Sequence, residues 1–304
     1  MNISLPQTPP FFYFLLGWIA VDGSHFFSTI FVTYLDKDIR QRLKAQLIII
    51  PFVLIVGAST LNFFGYKNIF ILILGLSAAY HFIRQESGWM KIASRLDSKA
   101  PSWLQKIDIL TSYCITILPL AWTIRMSNNG HWYEKGDLIY LPDHISELLI
   151  QLFWPVIIVF ILSNIYHCYQ TKIFNLSKLY VFINTLMGWY IPRVILENPY
   201  LSVALITLHH GVPYFFIVFK HERISQNSKV FNKLKKYKYI LFYLASVSLY
   251  FAFYYIMFVL PAFISFKNFN NFTQSVAYGI LIAPLMTHFL LDSYIWKRKY
   301  RLIS

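Results

Sequence analysis

Acidic residues are scarce in this chain: 13 Asp and Glu stand against 27 Lys and Arg in 304 residues. All charged side chains together reach 13%, about half of the roughly 25% carried by soluble domains. That deficit excludes an ordinary water-facing surface. Cysteine is nearly absent as well. Cys114 and Cys168 are far apart and lie in apolar segments, which excludes a disulfide framework, a CxxC metal site and an iron–sulfur cluster. The sequence holds no HExxH, no GxSxG and no glycine-rich phosphate loop, which sets aside zinc proteases of that type, hydrolases of the serine-elbow type and P-loop nucleotide binding. The opening MNISLPQTPP has no basic stretch and no small-residue cleavage site after it, so a signal peptide is not expected. No internal repeat or low-complexity tract occurs.

What is present is apolar. Hydrophobic residues make up 57% of the chain and aromatics 19%, with mean hydropathy +0.50. A helix needs about 20 apolar residues to cross a bilayer. Nine such runs are read, at residues 11–35, 46–64, 68–90, 107–126, 146–169, 178–196, 199–219, 239–265 and 273–296. The expected fold is all-α: one integral-membrane helical domain over residues 1–304, a polytopic transmembrane helix bundle of about nine spans.

The cations orient it. DKDIRQRLK follows the first run, Lys91, Arg95, Lys99 and Lys106 the third, Lys172 and Lys178 the fifth, residues 220–238 the seventh, and KRKYR the ninth. The alternate loops hold far fewer. The positive-inside rule then places the N-terminus outside and the C-terminus in the cytoplasm, with 127–145 an outer loop and 220–238 a basic cytoplasmic loop. A net charge of +14 would suggest nucleic acid in a soluble protein. Here the cations flank apolar runs, so membrane lipids are the expected partner and nucleic acid is not.

Nine histidines remain to be placed. His131 and His144 fall in the outer loop and His221 in the basic loop. His167 lies close to Lys172 and reads as interfacial, or as bordering a site. The others are deeper. His210 precedes Lys220 by ten residues, His288 precedes Lys297 by nine, His25 precedes Asp36 by eleven and His81, with Arg84 and Glu86 counted as intramembrane, precedes Lys91 by ten. Ten residues of helix rise roughly 15 Å, half of a hydrocarbon core of about 30 Å. Four helices running the same way thus bring imidazoles to one level. Ionisable groups inside a membrane are costly and mark interior or functional positions. The plainer reading is that each histidine bonds a neighbouring helix.

Their neighbours extend the pattern. Asp292 follows His288 by one turn and can orient its imidazole. Asp22 precedes His25 by three residues and is open to the same role. His209 and His210 are adjacent and point about 100° apart, so one faces a shared site; Tyr214, one turn beyond His210, favours His210. Gly211 and Pro213 loosen the helix there. His81 and Gln85 share a face. Arg84 and Glu86 do not, and each needs a partner elsewhere, such as Asp22, Asp36 or Asp292 for Arg84. Neutral imidazoles with few carboxylates suit iron, zinc or copper. Iron as Fe2+ ranks first, with zinc and haem behind it, because haem needs two axial histidines and more are available.

The residues DGSHFF, YHF, HHGVPYFFIVFK and THFLLDSYIWK, spread along the whole chain, resemble the Brp/Blh-type bacterial β-carotene dioxygenases. The resemblance implies a polytopic membrane protein that holds one iron through histidines on several helices and cleaves a carotenoid with dioxygen. Carried over, it implies His25, His81 and either His209 or His210 as ligands. That family has two histidines one turn apart in the late helix. The corresponding pairs here are His209 with Pro213, or His210 with Tyr214, so His288 takes the fourth place. The family's Pro-His-Gly beginning and His-Phe-Gly segment are missing.

The expected function is a membrane-embedded, histidine-ligated, iron-dependent oxygenase or related oxidoreductase acting on a lipophilic, carotenoid-like substrate. Its metal residues would be drawn from His25, His81, His209, His210 and His288. Asp22, Asp292, Gln85, Glu86, Arg84 and Tyr214 would surround them. Dioxygen and the lipophilic substrate are its expected partners, an electron-donor protein is left open, and the bacterial inner membrane is its expected location as a multi-pass protein. The alternative is a proton- or metal-coupled membrane transporter with an intramembrane His/Asp site. A structural membrane protein with histidines as interhelical glue is a third reading.

Overall fold

A computed structural model describes residues 21–95, 97, 100–128, 141–220, 237–256 and 270–295. Residues 221–236 of the basic loop, residues 129–140 of the outer loop, and with them His131 and His221, lie outside the described residues. Among the described residues the chain is helical and contains no strand. The elements are α1 (Ser24–Thr33), α2 (Lys37–Arg42), α3 (Lys44–Phe63), α4 (Lys67–Ser94), α5 (Ser102–Asn128), α6 (Asp143–Gln151), α7 (Phe153–Thr171), α8 (Leu176–Tyr190), α9 (Pro199–Lys220), α10 (Lys238–Tyr254) and α11 (Asn271–Ile295). A π-helical turn, Ile191–Ile195, continues α8.

Among the described residues, four stretches are long and apolar enough to cross a membrane: Lys44–Phe63, Ser102–Arg125, Asp143–Thr171 and Asn271–Ile295. Leu201–Phe216 and Tyr239–Tyr254 are shorter apolar helices. The large side chains left outside are apolar. Ile48, Ile49, Phe52 and Val53 on α3, and Trp154, Ile158, Leu162 and Ile165 on α7, are exposed. Such continuous apolar faces are compatible with a lipid environment.

Local signals set the helix limits. Asp36 accepts from the backbone N–H of Asp38 and Ile39, both at 2.9 Å, and so caps α2. Asn175 caps α8 through the N–H of Lys178 at 3.0 Å. Between α3 and α4 the chain turns at Gly65, where φ is +81°, a conformation that favours glycine.

The chain divides into two compact units, and the division falls within α4 and within α9. Unit 1 takes in Ala79–His210. In it α5 packs against α6, α7 and α8. Met90, Ile115, Phe153, Phe160 and Phe182 form one core, and Ile83, Trp189 and Ile206 a second. Unit 2 takes in the described residues up to Ala78 and from Gly211 onward. In it α11 packs against α3 and α1, and α10 against α1. Leu43, Leu47, Phe215, Phe242 and Leu291 are central to its core. Helix α11 comes close to α3 at Gly279, where a Cβ would sit 2.6 Å from the carbonyl of Ile55.

Candidate metal centre

In unit 1, His81 on α4 meets His210 on α9. Their Nε2 atoms lie 3.1 Å apart, and both side chains are buried. Phe82 closes over His210, with ring centroids 4.5 Å apart. The adjacent residues on each helix lock this meeting. Pro213 has no N–H to give to the carbonyl of His209. Gln85 Nε2 donates to the carbonyl of His210 at 2.9 Å. Next to it, Glu86 lies beside His209, with Oε1 2.6 Å from Nδ1. The hydroxyl of Thr185 donates to Glu86 Oε2 at 3.1 Å. Adjacent residues of α4 thus hold adjacent residues of α9. Of the two neighbouring histidines, His210 faces His81 and His209 faces the carboxylate. Gly188 makes room for this, since a Cβ there would meet His209 Cβ at 3.5 Å.

Arg84 takes none of the carboxylate partners expected for it. Its Nη1 donates to the hydroxyl of Tyr113 at 2.7 Å, and the pair is exposed. Asp36 instead caps α2.

In unit 2, the imidazoles of His25 on α1 and His288 on α11 cross edge to face, centroids 4.4 Å apart, and both are buried. Tyr214 on α9 stacks on His25 at 4.0 Å and 16°. A Cβ on Gly211 would fall 2.5 Å from Val21 and 3.5 Å from His25 Nδ1, so glycine lets α9 approach the start of α1. His288 Nδ1 lies 2.6 Å from the hydroxyl of Thr29. Asp292, the orienting carboxylate expected from the sequence, is 3.6 Å from the same nitrogen, beyond hydrogen-bonding distance. Asp22 is partly buried in the π-helical turn that leads into α1.

Sequence reasoning missed two features. One is Thr29, which sits one turn after His25 and so shares its face. The other is in unit 1. Lys178, counted above among the loop cations, is 2% exposed. Its ammonium lies 2.6 Å from Asp97 and 2.8 Å from Asp108 and donates to Asn164 at 3.0 Å. Ser94 and Asn164 also donate to Asp108. His167 is buried on α7, and His144 is exposed at the start of α6.

Among the described residues, the buried histidines that could hold a metal ion are His81 and His210 in unit 1 and His25 and His288 in unit 2. They are two pairs, one in each unit. The donor set fits a borderline transition metal, since it is all imidazole with no carboxylate. With metal–nitrogen bonds of roughly 2.0–2.1 Å, the 3.1 Å between His81 and His210 spans two neighbouring positions on one ion.

A scan against protein-family models, a search of curated proteins and a search of solved structures find no match to this chain. What the histidines do is read from their own chemistry.

Proposed function

We propose that this chain is a multi-pass membrane protein of about nine spans in which His25, His81, His210 and His288 together hold one iron(II) ion, used as an oxygenase or related oxidoreductase on a lipophilic substrate. The observation that carries this reading is the pairing of buried imidazoles inside each unit, by helices whose sequence places all four at one depth. A lone buried histidine is explained by a hydrogen bond to its neighbour. Two buried pairs, each fixed by further side chains, are more than helix contact requires. Four neutral donors leave an Fe2+ ion with open positions for dioxygen. Zinc fits the same nitrogens but brings no redox chemistry. The aromatic side chains around both pairs suit an apolar, carotenoid-like substrate, in keeping with the resemblance to the Brp/Blh-type dioxygenases. The bacterial inner membrane is the location that goes with it.

Metal analysis of the detergent-purified protein tests the reading. Near-stoichiometric iron is expected, with loss in His25→Ala, His81→Ala and His288→Ala. A wild type that takes up no iron when supplied with Fe2+ under anaerobic conditions would sink it. A proton- or metal-coupled transporter is the second reading, and the observation that favours it is the buried Lys178–Asp97–Asp108 cluster, since buried ionisable groups mark ion paths. Proton or metal flux into liposomes carrying the purified protein would support it.

A further inference from the structure

We infer that Thr29, rather than Asp292, fixes the orientation and tautomer of His288, as the positioning residue of that ligand; the inference rests on the metal reading above. A neutral imidazole carries a hydrogen on one ring nitrogen and a lone pair on the other. The partner at one nitrogen therefore decides which nitrogen is left for a metal. On His288 the engaged atom is Nδ1, with the Thr29 hydroxyl 2.6 Å away. Asp292 Oδ1 stands 3.6 Å away. In the tautomer that serves a metal, Nδ1–H donates to Thr29 Oγ1 and Nε2 keeps the lone pair.

The other hydroxyls of α1 behave differently. Ser24 donates to the carbonyl of Val21 at 3.0 Å, Ser28 to that of His25 at 2.5 Å and Thr33 to that of Thr29 at 2.6 Å. Each of these bonds stays in its own stretch of chain. Thr29 reaches a histidine on α11, 259 residues away. Both residues are buried, at 3% and 2% exposure, so water does not compete for the bond. Because Thr29 is one turn from His25, a single face of α1 supplies one imidazole and the hydroxyl that aims another.

The test is a Co2+ titration of the full-length, detergent-purified, metal-stripped protein, followed by the visible absorption of the bound ion. Thr29→Val keeps the shape and removes the hydroxyl. It is expected to weaken Co2+ binding by about tenfold to a hundredfold, the usual cost of losing such a partner, and to alter the absorption bands. Thr29→Ser is expected to restore both, and Asp292→Asn to bind like the wild type. Thr29→Val binding at wild-type strength would overturn the inference. So would a loss confined to Asp292→Asn, or a Thr29→Ser variant as weak as Thr29→Val, which would assign the effect to packing of the methyl group. A wild type that takes up no Co2+ brings down the metal reading and this inference with it. Failure of Thr29→Val alone, with normal uptake by the wild type, leaves the metal reading standing.

Discussion

The two units hold their histidine pairs by different physics. In unit 1 the fixing groups are charged or amide side chains. Gln85 and Glu86 grip α9, and Lys178 ties together α4, α5, α7, α8 and the connection carrying Asp97. In unit 2 the fixing groups are a ring and a hydroxyl. Tyr214 stacks on His25 and Thr29 meets His288. Helix contact there depends on missing side chains, at Gly211 and Gly279. A buried imidazole can thus be held by directed electrostatics or by close packing, and the two should fail in different ways. Helix contact should be sensitive to charge in unit 1 and to volume in unit 2, where the Thr29 hydroxyl still makes a directed bond to a histidine of the pair.

The largest effect is expected at Lys178. Lys178→Met leaves Asp97 and Asp108 buried without their cation, and breaking a buried pair from one side costs about 3–5 kcal/mol. Thermal unfolding in detergent should show a large loss of stability, or the variant should fail to accumulate. Lys178→Met combined with Asp108→Asn should recover part of it. If Lys178→Met unfolds like the wild type, the charge-held description of unit 1 is wrong. Next comes Gly279→Ala, whose Cβ would press on the backbone of α3. Overpacking of this kind costs about 1–3 kcal/mol, and the same measurement checks it. Glu86→Gln keeps the shape but replaces a charge-assisted hydrogen bond to His209 with a neutral one, for about 1 kcal/mol. Iron content should survive, because His209 faces away from the His81–His210 meeting. Loss of iron in Glu86→Gln would show that His209 serves the metal after all. The smallest effect has the opposite sign. A Cβ on Gly57 meets nothing within 4 Å. Gly57→Ala, inside α3, should therefore stabilise by roughly 0.5–1 kcal/mol. Equal outcomes for Gly57→Ala and Gly279→Ala would remove the packing argument for unit 2.

Much of the helical content was legible beforehand, because apolar runs near 20 residues leave little choice but helix. The candidate ligands were legible for a related reason. Counting 1.5 Å per residue from the flanking charges puts His25, His81, His210 and His288 at one depth. Between His209 and His210 the one sequence signal was Tyr214, a turn beyond His210, since adjacent residues differ only in the direction they face; it favoured His210, the histidine that meets His81. Thr29 gave no signal of its own, being one hydroxyl among several on α1. Its place one turn after His25 was the clue available. Lys178 misled, because a lysine at the start of an apolar run reads as a topogenic loop charge. Its partners Asp97 and Asp108 are brought to it by packing, and linear spacing does not record that.

The sequence by itself determined that the chain is helical and apolar, and which histidines stand deep within it. These follow from hydropathy and helical rise, which are local properties of the chain. The tertiary structure decided which nitrogen faces which partner: His81 to His210, His209 to Glu86, His288 to Thr29, and Lys178 inward to two carboxylates. Those choices depend on how helices distant in sequence rotate and pack against one another, and that rotation appears in no run of consecutive residues.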